Sequence, residues 1–154
     1  MELVEVVCDK FLLIWLFSKD VSDHEREIAE RVYYKLKVGD FRLVYTKRLI
    51  EIIRKELKTF ENKLKRDTYS QRWIKRLMSL LVDSRKTRIT EANLRNLKIQ
   101  DENDEEMVKS TILSENKIFI TTDLVRLKQK LIEANLIEKF KIKLLPPEEF
   151  VNIT

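Results

Sequence analysis

Apolar and polar positions alternate between two patterns along the chain. Leu3-Val4-Glu5-Val6-Val7-Cys8 is β-branched and nearly continuously apolar, as a central strand of a parallel sheet would be. Lys10 to Ser18 reads as a buried helix. Behind Ser22, a plausible N-cap, Ile28, Ala29, Val32, Tyr33 and Leu36 recur at helical spacing and predict a helix to about Lys37, which Gly39 ends. Phe41-Arg42-Leu43-Val44-Tyr45 is a second strand. Thr46 can cap the next helix, whose apolar stripe is Leu49, Ile50, Ile53, Leu57, Phe60 and Leu64. Further helices are predicted from about Ser70 to Leu81, as a short element from Thr90, and over Glu102 to Ser114, with Met107, Val108, Ile112 and Leu113 facing inward. Lys117-Ile118-Phe119-Ile120-Thr121 is a strand, followed by a helix to about Asn135. Phe140 to Leu144 is a last strand, stopped by Pro146-Pro147.

Strands separated by helices pair in parallel through right-handed crossovers, so the expected architecture is α/β, a central parallel sheet of about four strands flanked by helices. A single Gly and two Pro leave few tight turns, which disfavours a hairpin-rich all-β fold. The 154 residues, 44% hydrophobic, suit one domain over 1–154, without repeat, linker or low-complexity tract. The apolar run Phe11 to Phe17 is too short to span a bilayer, and it follows Glu2, Glu5 and Asp9-Lys10 instead of a basic leader. A lone Cys8 excludes an internal disulfide and a cysteine zinc site, in keeping with a reducing cytoplasm.

Charge is distributed unevenly. Residues 1–34 carry 4 Lys/Arg against 8 Asp/Glu, residues 35–98 carry 19 against 7, and residues 99–116 carry 1 against 6. An acidic segment beside a strongly basic one is what a metal site facing a polyanion requires, although basic helices can equally be solvated faces. The basic stretch from Lys47 to Arg88 centres on Lys63, Lys65, Arg66, Arg72, Lys75 and Arg76, candidate contacts to an RNA backbone.

The acids fall where a parallel sheet places its ligands. Asp9 directly follows the first strand, and Asp123 directly follows the strand ending at Thr121, so both belong to the carboxyl edge of the sheet. Glu51 lies in the second turn of the helix after Thr46. Asp101 and Asp104 open the helix before the third strand and share a face at i, i+3 spacing. Carboxylates gathered this way raise each other's pKa unless a cation neutralises them. Mg²⁺ or Mn²⁺, hard ions that take oxygen ligands, would do so and would support phosphodiester hydrolysis.

The run Gln100-Asp101-Glu102-Asn103-Asp104-Glu105-Glu106, then Ser114 to Asp123 with its Thr121-Thr122-Asp123 ending, resembles the C-terminal half of PIN domains. Val4 to Phe17, Thr46 to Glu51 and Ile142 to Phe150 are similar to that family's opening strand, its Ser/Thr-led second helix and its closing segment. The resemblance implies a PIN fold and a metal-dependent endoribonuclease, often the toxin of a toxin–antitoxin pair, with an antitoxin protein or a second copy of the chain as partner. By position it implies that Asp9, Glu51, Asp104 and Asp123 are the catalytic, metal-binding acids, with Asp101 auxiliary. Two departures stand out. Lys10 and Phe11 occupy places where the family carries Thr or Ser and then Asn, and Lys10 is positioned to compete with metal. Val125 and Arg126 stand where a further acid often follows.

His24, the only histidine, lies in an acidic helix without a partner in any motif and reads as a surface residue. Trp15 and Cys8 read as core. Trp73, among Arg72, Lys75 and Arg76, reads as a core or dimer contact, with base stacking as the alternative. Three functions stay open on the residues: a metal-dependent ribonuclease, a degenerate PIN-like domain that binds RNA or a protein without cutting, and a helical interaction protein.

Overall fold

Strand β1 (Val4–Cys8) lies at the centre of a five-stranded sheet in a computed structural model that describes residues 2–91, 94 and 96–153. The other strands are β2 (Phe41–Thr46), β3 (Thr87–Thr90), β4 (Ile118–Ile120) and β5 (Lys143–Leu145), in the order β3-β2-β1-β4-β5, all parallel. Val6 sits between Leu43 of β2 and Ile118 of β4, so the most apolar strand is hydrogen-bonded on both sides. After β3 the chain crosses back over β1 to form β4. The strand order therefore reverses between β1 and β4, and their carboxyl ends border the crevice where parallel sheets bind ligands.

The helices are α1 (Phe11–Phe17), α2 (Asp23–Val38), α3 (Lys47–Lys63), α4 (Thr68–Val82), α5 (Glu102–Leu113), α6 (Leu124–Glu133), α7 (Leu136–Phe140) and α8 (Pro147–Asn152). Ser22 starts α2 through a capping box: its hydroxyl accepts from the Glu25 N–H, and the Glu25 carboxylate accepts from the Ser22 N–H. Thr46 caps α3 by accepting from the Leu49 N–H at 3.1 Å. Helix α2 packs on α1 and α8, α3 on α4, and α5 over β2 and β1. Val6, Val7, Ala29, Val32, Val44, Leu49, Val108, Ile120, Leu131 and Phe150 are fully enclosed. Trp73 is buried edge-on against Tyr33, with ring centroids 5.0 Å apart, so it is core and presents no face for a base.

The parallel α/β expectation holds, with five strands where about four were expected. The additional strand is β3: Thr90 closes it, where a helix was expected to begin, and Ala92, Asn93 and Arg95 of that expected helix lie outside the described residues. Its sequence, Thr-Arg-Ile-Thr, lacks an apolar pattern because its side chains are held by polar contacts. Thr87 donates to the Leu80 carbonyl at 2.8 Å, and Arg88 reaches Glu5. The last strand begins at Lys143, not Phe140, which ends the short helix α7. Pro146-Pro147 stops β5 as expected and also starts a helix, with Pro147 in the first turn of α8, where its missing N–H costs nothing. Gly39 ends α2 in an extended conformation (φ −79°) instead of a left-handed one. Glycine is required there by space, because a Cβ would lie 2.6 Å from the Lys35 carbonyl. Among the described residues no helix is long and apolar enough to cross a membrane.

Candidate metal centre

Asp9 is fixed by the edge on which it sits. Its N–H continues the ladder by donating to the Ile120 carbonyl of β4 at 2.9 Å. One carboxylate oxygen accepts from the Lys10 N–H at 2.7 Å and the other from the Thr121 hydroxyl at 2.7 Å. The same hydroxyl oxygen accepts from the Asp123 N–H at 3.1 Å, so a single buried threonine ties the ends of β1 and β4 together. Burial pushes the Asp9 carboxyl above the ordinary carboxylate range. The hydrogen bonds from Thr121 and Lys10 work against this, and the charges of Asp104 and Asp123 add to it. These three carboxylates thus share one electrostatic field across the β1–β4 switch point.

Asp104 reaches that field from the first turn of α5. Asp101 is the N-cap of this helix and accepts from the Asp104 N–H at 2.9 Å, so its carboxylate is engaged in positioning Asp104. Oδ2 of Asp104 accepts from Arg126 Nη1 at 3.0 Å and from Lys130 Nζ at 3.2 Å. The same Arg126 guanidinium is paired with Asp123. Hydrogen bonds to Asp104 and then Asp123 hold Arg126 more firmly charged than usual. Arg126 and Lys130 are the site residues that sequence reasoning did not assign. The available signal was that Arg126 stands one turn after Asp123 in place of an acid.

Glu51 is placed elsewhere. It is exposed, lies 3.7 Å from Arg48, and lines a separate cleft of about 360 Å³ with Thr46, Lys47, Glu91, Glu106 and Lys109. Lys10 turns away from the acids and pairs with Glu56 of α3 at 2.6 Å. Lys63, Lys65, Arg66, Arg72 and Lys75 are exposed on the end of α3, the following connection and α4, and among the described residues none of the five forms an ion pair. Arg76 is held over the Trp73 ring at 4.7 Å. His24 is exposed, and the Cys8 thiol is buried and pushed well above its usual pKa by that burial.

Asp9, Asp104 and Asp123 offer carboxylate oxygens alone, the donor type that suits Mg²⁺ or Mn²⁺. Two of them, Asp104 and Asp123, are bridged by one cation, the Arg126 guanidinium. Among the described residues no three carboxylate, imidazole or thiol groups are gathered closely enough to hold a metal in this arrangement. No family model, curated protein or solved structure matches the chain.

Proposed function

We propose that the chain is a PIN-type endoribonuclease dependent on Mg²⁺ or Mn²⁺. One observation carries the reading: Asp9 and Asp123 follow adjacent strands at the topological switch point, and Asp104 joins them closely enough that its charge and that of Asp123 raise the Asp9 pKa. Asp9, Asp104 and Asp123 would hold the ion. A bound divalent ion there would neutralise the cluster, activate a water and stabilise charge developing on a phosphodiester. Thr121 keeps Asp9 and Asp123 in register, and Asp101 fixes the backbone that presents Asp104. Lys63, Lys65, Arg66, Arg72 and Lys75, exposed and without an ion pair among the described residues, offer positive charge to an RNA backbone, with Arg76 beside them.

The Arg126 bridge favours a second reading, an RNA-binding domain in which a guanidinium has replaced the metal. The two separate on labelled single-stranded RNA incubated with millimolar Mn²⁺. The nuclease reading expects cleavage by the wild type that EDTA stops and that Asp9→Asn and Asp104→Asn abolish while RNA binding persists. Salt-sensitive binding with no cleavage under any divalent ion establishes the second reading instead.

A further inference from the structure

We infer that Arg126 is a displaceable internal counter-ion that competes with divalent metal for Asp104 and Asp123, an inference resting on the metal-centre reading above. Asp123 is the residue before α6, yet its side chain makes no cap hydrogen bond to that helix. It pairs with Arg126 one turn on, and Arg126 Nη1 crosses to Asp104 at 3.0 Å. Lys130 follows at i, i+4, on the same face of α6, and its Nζ adds a second cation to the same Asp104 oxygen at 3.2 Å. Arg126 and Lys130 share Oδ2 of Asp104 and Arg126 also takes Oδ2 of Asp123, so an ion drawing on those oxygen atoms has to displace them. Three carboxylates facing two cations also leave the site with little net charge to draw a third.

The hold is a loose one. The Arg126 side chain is 50% exposed and that of Lys130 33% exposed, so water solvates both on release. Exposed pairs of this kind contribute little and are screened by salt. Asp9 has no cationic partner among the described residues; its two oxygen atoms accept from the Lys10 N–H and the Thr121 hydroxyl, so no side-chain cation need leave it. The metal-free site is thereby largely neutralised by its own helix, and removing that helix's arginine should open it.

The test is titration of Mn²⁺ alone into the full chain, followed by loss of the free-ion electron paramagnetic resonance signal, which reads binding without reference to activity. Arg126→Gln should bind Mn²⁺ about tenfold more tightly than the wild type, and Lys130→Gln by a smaller factor. Raising the salt should narrow both differences. The double variant Arg126→Gln with Asp104→Asn should lose the gain; if it binds as tightly as Arg126→Gln alone, the ion sits elsewhere and the inference is overturned. Equal affinity of Arg126→Gln and wild type overturns the inference while leaving the metal centre standing. Failure of every protein to bind Mn²⁺ at millimolar concentration overturns the metal centre itself, and the competition with it. A thermal melt in EDTA establishes that each variant is folded.

Discussion

Glu5 is a fully buried carboxylate in the central strand, and replacing it tests whether the sheet depends on the charge set built around it. Arg42, its register partner on β2, donates to Glu5 Oε2 at 3.0 Å. Arg88 reaches across from β3 with two bonds of 2.9 Å, one to each oxygen, and the Glu115 N–H is a third donor group at 2.9 Å. Removing one partner of a buried pair costs about 3–5 kcal/mol, because the remaining charge is left unpaired. Here the Arg42 and Arg88 side chains are 30% and 36% exposed, so water recovers part of the loss. Glu5→Gln should therefore cost roughly 2–3 kcal/mol, which for a chain of this size lowers the melting temperature by about 5–10 °C. Burial alone would push the Glu5 carboxyl up, but bonds from Arg88, the Glu115 N–H and Arg42 outweigh it and hold it below its ordinary value. A depressed folded-state pKa contributes stability that is present above the unfolded value and lost as pH falls through the folded one. The gap between wild type and Glu5→Gln in urea melts should thus be constant near neutrality and shrink below about pH 4.5. Equal stability at neutral pH, or a gap unchanged in acid, would refute the reasoning.

At Asp9 the sign is opposite: its raised pKa means that ionisation costs stability as pH rises through the interval between unfolded and folded values. Asp9→Asn should accordingly raise the melting temperature in EDTA at neutral pH and abolish stabilisation by Mn²⁺; a lower melting temperature would show that its bonds to Thr121 and Lys10 dominate. Gly39→Ala should lose about 1–3 kcal/mol by urea denaturation, since its Cβ would press on the Lys35 carbonyl at 2.6 Å and on Phe41 at 3.1 Å. A neutral outcome would mean that the α2 terminus shifts freely. Replacing Lys65, Arg66, Arg72 and Lys75 together with Ala should weaken RNA binding and flatten the log–log salt slope by roughly 3. An unaltered slope assigns the basic face to solvation.

The sequence made the parallel frame legible where burial acted on both faces of a strand, as in β1, β2 and β4. It concealed β3, whose side chains serve Glu5 and the α4 carbonyls instead of an apolar core. The single acidic break in β1 carried the clue, since a carboxylate enclosed at that position requires cations from neighbouring strands, and these are Arg42 and Arg88. Asp9, Asp104 and Asp123 were legible because strand ends and a helix start fix their places. Glu51 was not, because its position in the second turn of α3 depends on which way that helix leaves the sheet.

Adjacency in sequence misled at Lys10. Its backbone N–H does serve Asp9, but its side chain leaves with α1 and finds Glu56 on α3. The cation that reaches the acids comes from the far side of β4, where α6 turns Arg126 and Lys130 back over the switch point. Two arginine–carboxylate sets thus lie toward the two ends of β1, and burial separates them. Around Glu5 the acceptor is fully enclosed, so losing the pair leaves charge stranded in the sheet. Around Asp104 and Asp123 the arginine is half exposed, so water solvates it and losing the pair strands little charge. That difference in burial, more than the count of acids, separates the two sets: the amino-end pairs brace the sheet, and the carboxyl-end pairs are the ones whose carboxylates water reaches.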